Sequence, residues 1–486
     1  MQRETVTMNK FGIVCVVMGM LGLFSNMSVA QDLGCSDEVE LDGGIVKVQS
    51  TPDGDDTDNI QCALDAAVTG GYKDVYLTSD AYSIGGVTAN DYEGRLRGRS
   101  FDLTTINVID NSLDCTTGAA LRFIVGDAVV TRMKLKINEP CSTPGGSASV
   151  IGFYSNPENC AGDRVVFGVV DRVIIEGGGA SALDVTTGIT IDAAPACFPA
   201  TSEEALPEAN KALGSLIVNR NQIRDLDIGV LSSISANGQV DITFNNPMEG
   251  LGVPIALVDA SQATNIYRNE IYYNDTEYPG VELANVFGTT GILVGSTGAS
   301  PAINKTSFSK NRFIDGGVHS EGYAVLSAQE DKSIVHEMII TSNTFAGSDT
   351  NNAGAGLAVL DTSNGVISAN TFTGSAATWV LLDSGDESQG GLGATVSGWA
   401  ILANSFGGST APTDITLGAK TQDNVVGRSQ GQPVVADAGN NDVLESAASS
   451  RVYLRSSPVR VGSDSLYKGQ IETILGRSTP LRKLER

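Results

Sequence analysis

Histidine is almost missing from this chain: His319 and His336 are the only two in 486 residues. No Cys-x-x-Cys pair occurs either, which argues against a zinc site. Neither histidine has the Ser or Cys context of a nucleophile–base pair. Aromatic residues make up only 6% of the chain, with Trp379 and Trp399 the sole tryptophans, which argues against a large globular aromatic core. Positive charge is scarce, 31 Lys and Arg against 56 Asp and Glu, and the net charge of −25 argues against nucleic acid and anionic membrane as partners. After residue 24 no hydrophobic run is long enough to span a bilayer.

What is present begins with an export signature. Lys10 precedes the apolar run Phe11 to Phe24, and Ser28-Val29-Ala30 supplies small residues for cleavage. Residues 1–30 are therefore expected to be a signal peptide, with Met8 an alternative start and Gln31 beginning the mature chain. A lipoprotein reading fails at Cys35, because the residue three before it is the charged Asp32. The expected location is secreted, extracellular or periplasmic. Six cysteines remain after the leader, Cys35, Cys62, Cys115, Cys141, Cys160 and Cys197, all in the first half and suited to disulfides. The high glycine count, 56, suits many tight turns.

Asp53-Gly54-Asp55-Asp56-Thr57-Asp58 reads as a turn into a helix, with Asp56 or Thr57 as N-cap. Ile60, Ala63, Leu64 and Ala67 share one helical face, and Gly70-Gly71 ends the helix. From about residue 165 a degenerate repeat appears: an apolar strand, Asn, any residue, then Ile, Val or Phe. Its asparagines are Asn221, Asn245, Asn269, Asn311, Asn343, Asn370, Asn404 and Asn424, with Asp171 a candidate earlier member. The steps are 24, 24, 42, 32, 27, 34 and 20 residues, the variable period of a solenoid with loop insertions. Asn tolerates the left-handed backbone of a sharp bend, and stacked amides can bond one another. Ile223, Ile271, Phe313, Phe345, Phe372 and Phe406 should fill the interior. A second anchor is a short strand ending in a small or acidic residue, as in Ala256-Leu-Val-Asp259, Ala324-Val-Leu-Ser327, Ala358-Val-Leu-Asp361 and Val380-Leu-Leu-Asp383. Two anchors per repeat imply at least two strand columns, as in a parallel β-helix. The expected layout is a leader at 1–30, a cap region at 31–78, the β-helix at 79–445 and a basic tail or cap at 446–486. The segment 451–486 carries eight basic and three acidic residues, open to capping or to self-association by docking on an acidic surface.

These residues resemble the pectin-lyase-like superfamily of right-handed parallel β-helix proteins. The opening Asp53 to Gln61, the Val75-Tyr76-Leu77 strand, Gly94-Arg-Leu-Arg-Gly98 and Thr105-Ile106 carry the likeness, which implies an all-β fold with a short N-terminal capping helix. The superfamily's polygalacturonase and pectate lyase signatures are absent, so the resemblance implies a carbohydrate ligand but transfers no catalytic residue.

Asp361 and Asp383 lie 22 residues apart, about one coil, and three readings stay open. Carboxylates roughly 5 Å apart would suit glycosidase-type catalysis, a shared Ca²⁺ as cofactor, or plain turn chemistry. Trp379 and Asp259 are candidate ligand-binding residues. Trp379 is either a sugar platform or a packing residue. Tyr272, Tyr273 and Tyr278 could line a groove, and Arg95, Arg97 and Arg99 are either a carboxylate-binding row or a solvated face paired with acids. Two functions compete: a protein that binds or modifies an extracellular polysaccharide, as lyase, epimerase or hydrolase, and a non-catalytic scaffold.

Because residues about one coil apart become neighbours, sequential pairing of the cysteines is expected. Peptide mapping of non-reduced protein should return Cys35–Cys62, Cys115–Cys141 and Cys160–Cys197. Free thiols or a crossed pair would contradict it.

Overall fold

The computed structural model describes residues 33–444 except 53, 114, 116, 117, 143–146, 156–164, 179–184, 193–212, 234–237, 259–262, 274–289, 297–303, 316, 323–335, 348–354 and 386–392. The described chain is nearly all β, with one helix, Thr57–Gly70. Apart from the pair Val39–Asp42 and Ile45–Val48, every strand pairing among the described residues is parallel. No helix among them is long and apolar enough to cross a membrane.

The pairings form three ladders that the chain visits in turn. The first contains Leu213–Asn219, Gly238–Thr243, Ala263–Tyr267, Asn304–Ser309, His336–Thr341 and Ser363–Ser368. The second contains the start of Gln222–Ser233, then Met248, Glu270–Tyr273, Arg312–Ile314, Thr344–Gly347 and Thr371–Gly374. The third contains Val185–Asp192, the end of Gln222–Ser233, Thr290–Ser296, Gly317–Gly322, Ala355–Leu360 and Thr378–Asp383. Alternate residues of each strand point inward, so one rung contributes Val218, Ile223 and Val230 to the core, all fully buried.

The bend between the first and second ladders is built on asparagine. Asn221 Nδ2 donates to Asn245 Oδ1 (3.1 Å), and the pattern continues to Asn269 (2.8 Å), Asn311 (3.1 Å), Asn343 (3.0 Å), Asn370 (3.1 Å) and Asn404 (3.1 Å). Each Oδ1 also accepts the backbone N–H of the asparagine one rung back, as Asn311 Oδ1 does from Asn269 N at 2.9 Å. The second N–H of each amide reaches a strand carbonyl, as Asn311 Nδ2 does to Ile266 O (2.9 Å). A buried primary amide is thus used on both its donors and its acceptor, which removes the desolvation cost of an unpaired one.

Three expectations for this bend need correction. The left-handed residue is the one before the asparagine, for example Arg268 (φ 55°) and Lys310 (φ 55°). Asn424 belongs to a different column, where its Oδ1 accepts Trp399 N (2.9 Å) and its Nδ2 donates to Asn441 (2.9 Å). Asp171 is no ladder member: it pairs in register with Asn219, and Val173 takes the asparagine position, donating its N–H to Asn221 Oδ1. The bend needs an amide acceptor above each backbone N–H, and the last rung it serves below can be apolar.

Just beyond the asparagines, Phe313, Phe345, Phe372 and Phe406 stack in the interior with centroids 4.7, 5.0 and 4.8 Å apart and planes within 14°. Ile223 and Ile271 continue the row, fully buried. The helix covers the N-terminal end with the expected face, Ile60, Ala63, Leu64 and Ala67. Asp56 is its N-cap by position, but its carboxylate accepts Thr51 N (2.6 Å) and Ser83 N (2.9 Å), tying the helix start to the first rungs. Gly71 closes the helix at φ 69°. Cys35–Cys62 and Cys115–Cys141 are bonded as expected, and Cys160 and Cys197 lie outside the described residues.

Asn311→Ala removes both the acceptor and the donors of one rung and strands buried partners above and below. It is expected to cost more than about 3 kcal/mol, similar to the roughly 3–5 kcal/mol expected for Phe372→Ala. Unfolding in urea measures both, and an unchanged transition in either variant contradicts the packing described.

Candidate functional site

The acidic pair does not align. Leu360, not Asp361, is in register with Asp383, because Leu357 stands opposite Val380. Asp361 is fully buried at φ 49°, and its Oδ1 accepts Gly385 N (2.9 Å) and Ala394 N (2.7 Å). Asp383 Oδ1 accepts its neighbour Ser384 N (2.8 Å). Oxygens committed to backbone amides fit turn chemistry, not a cage for a hard cation. Among the described residues no group of three or more His, Cys, Asp or Glu is placed to hold a metal. On the third ladder Gly317–Gly322 stands between Thr290–Ser296 and Ala355–Leu360, and the expected anchor at 324–327 lies outside the described residues.

Trp379 is interior, a correction to its reading as a sugar platform. It is 2% exposed, lies 5.6 Å from the Phe372 ring and donates Nε1–H to Ser409 Oγ (2.9 Å). At that exposure its ring offers no open face to a sugar. Asp259 and Tyr278 lie outside the described residues, as do the side chains of His319, His336 and Tyr273. Tyr272 is placed and donates to Glu270 Oε1 (2.5 Å). Arg95, Arg97 and Arg99 follow the solvated-face reading. Arg95 grips Asp74 with two bonds (2.7 and 2.9 Å), Arg97 approaches the same carboxylate at 3.4 Å, and Arg99 pairs with Asp80. The Arg95 bond holds the Asp74 carboxyl below its ordinary value, against the opposing effect of burial.

A site that the repeat hides appears at the left-handed position of the asparagine bend. Successive rungs place there Arg132, Arg172, Arg220, Phe244, Arg268 and Lys310, with φ between 55° and 58°. The cations are exposed, and Phe244 is 42% exposed. Further along, Ser342, Ala369 and Ala403 occupy the same position, so the stripe has a defined end. A side chain with a Cβ is disfavoured there by roughly 1 kcal/mol, and the bend itself is satisfied by Ala or Ser.

The middle of the stripe is aromatic. Phe244 and Tyr267 meet edge-on at 5.5 Å, the Arg268 guanidinium lies 5.6 and 5.1 Å from the two ring centroids, and Lys310 Nζ lies 5.4 Å from that of Tyr267. Neighbouring outward positions on the first ladder hold Asp171, Asn219 and Thr243, joined by hydrogen bonds of 2.8 and 3.1 Å. Arg172 pairs with Asp171 (2.7 Å). Arg132, Arg220, Arg268 and Lys310 make no ion pair within 4.0 Å among the described residues.

On the second ladder, by contrast, cations are neutralised. Glu176 contacts Lys134, Lys136 (3.8 Å) and Arg224 (3.7 Å), Arg224 also approaches Glu249 (4.0 Å), and Arg312 binds Glu270 (2.5 Å). Burial alone would raise the Glu176 carboxyl, but the Lys134 bond and the charges of Lys134, Arg224 and Lys136 outweigh it and hold it low.

No protein-family model matches the chain, and no characterised protein matches it by sequence. By structure it is similar to the A-module of the Azotobacter vinelandii mannuronan C-5 epimerase AlgE4, at 15% identity and a TM-score of 0.46, covering 82% of this chain and 100% of that one. The A-module of the epimerase AlgE6 from the same organism gives 13% identity and a TM-score of 0.39, covering 80% and 96%. At these scores the likeness says nothing of ligand or activity.

Arg220→Gln, Arg268→Gln and Lys310→Gln are each expected to leave stability within about 0.5 kcal/mol, because no described acid loses a partner. Glu176→Gln should behave differently. A carboxyl whose folded value is lowered contributes stability above its unfolded value and loses it as pH falls through the folded one. The Tm gap between wild type and Glu176→Gln is therefore expected to be widest near neutral pH and to close in acid; a pH-independent gap contradicts the ion-pair account.

Proposed function

We propose that this is an exported protein whose three parallel ladders wind as a right-handed β-helix of the pectin-lyase-like type, and that it binds an acidic extracellular polysaccharide. The observation that carries the reading is that Arg132, Arg220, Arg268 and Lys310, on the stripe around Phe244 and Tyr267, have no acid partner among the described residues of a chain of net charge −25. Arginine and lysine attract anionic groups, aromatic faces stack on the apolar faces of sugar rings, and Asn219 and Thr243 offer hydrogen bonds to hydroxyls. Export supplies the compartment in which the disulfides Cys35–Cys62 and Cys115–Cys141 persist. No bond-breaking role is assigned to Asp361 or Asp383.

Binding is expected to a polyuronate and not to a neutral glucan, to weaken steeply as salt rises, and to fall at least tenfold in the Arg220→Gln/Arg268→Gln/Lys310→Gln variant. Isothermal titration with each polymer, with and without Ca²⁺, measures this. Equal affinity of the variant and wild type places binding elsewhere; no binding to any acidic polymer removes the proposal.

A further inference from the structure

We infer that the ligand lies parallel to the stack, along the asparagine bend, with one anionic sugar unit per rung and a footprint that ends at Arg132 and Lys310. The inference rests on the polysaccharide reading above and adds direction, register and length.

The spacing carries it. Parallel neighbours sit roughly 4.8 Å apart, so the six stripe positions span on the order of 24 Å along the stack. The rung spacing of roughly 4.8 Å is close to the length of one pyranose unit, so a polymer with one carboxylate per ring would present its charges in step with the cations. Duplex DNA carries one charge per about 1.7 Å, nearly three for each stripe position, and would leave most of its charge unmatched. The chain is described without a break at the bend itself, through residues 219–222, 243–246, 267–270 and 309–312, so no insertion interrupts it from Arg220 to Lys310. The ends are set by chemistry: Ser342 follows Lys310 with no charge, and at the other end the turn after Arg97 begins with Gly98, which has no side chain. Phe244 is the single uncharged position within the stripe and is 42% exposed, with Arg220 one rung away and the Arg268 guanidinium 5.6 Å from its ring centroid. It is therefore the place where a ring is held by its face while its neighbours are held by charge.

Size-fractionated oligouronates of about two to twelve units, titrated into the full-length protein, test the direction. Affinity is expected to climb with each unit and to level off at about six, the number of stripe positions. Arg132→Gln and Lys310→Gln, at opposite ends, should each weaken a six-unit ligand several-fold, while Phe244→Ala lowers affinity for every length. A plateau at two or three units means the polymer crosses the stripe, and overturns the inference while leaving the polysaccharide reading intact. Continued gain beyond about eight units also overturns it, because the footprint would exceed the stripe. Tight binding of neutral oligoglucans would contradict the charge register specifically. Failure of all oligouronates and of the parent polymer would sink the underlying reading itself.

Discussion

The structure depends on one constraint: at the bend between the first two ladders, a backbone N–H and the carbonyl of a neighbouring rung must both be satisfied inside the protein. Asparagine meets it because a primary amide carries an acceptor and two donors on a short stem. Asn245 shows the arrangement, accepting from Asn221 and donating to Val218 O (3.1 Å) and Asn269 (2.8 Å). Each amide is thus completed by the next, and a rung cannot slip without opening bonds on both sides. The phenylalanine stack has the same logic in apolar form. Together they fix rung spacing and register from Asn221 to Asn404.

A bend held this firmly can present whatever the surface requires at its left-handed position. In the rungs of Ser342, Ala369 and Ala403 that position is small. In the rungs from Arg132 to Lys310 it is cationic or aromatic. The difference lies outside the core, and from Arg220 to Ala403 the amide ladder is the same on both sides of it, so its cause is sought in what the stripe touches. The adjoining second ladder reinforces the contrast, since its lysines and arginines are tied to Glu176, Glu249 and Glu270 and contribute little net field.

Much of the architecture was legible in the sequence because the repeat is written in residues with few substitutes. The Asn-x-Phe triplets identify both the amide ladder and the ring stack, and the Asp-rich turn with its Ile60–Leu64 face identifies the cap. The failures have physical causes. Asn424 shares the motif yet serves another column, since a triplet cannot tell which bend it caps. Asp361 and Asp383 share a strand-end pattern, but parallel ladders align on inward residues, Leu357 with Val380, and the tails fall out of step by one. Trp379 was ambiguous because the same side chain fills cores and stacks on sugars. The stripe went unseen although it had a signal, the dipeptides Arg220-Asn221, Arg268-Asn269 and Lys310-Asn311. Its members are 42 to 48 residues apart or separated by the Phe244 rung, so only the ladder register brings them together.

The central claim is that the left-handed edge of the asparagine bend is a ligand surface. A crystal structure of the protein with an oligouronate tests it most directly. Density for the sugar chain running from Arg132 toward Lys310, with one ring against Phe244 or Tyr267, is the predicted result. Density confined to another face, with Arg220, Arg268 and Lys310 solvated, would contradict the account.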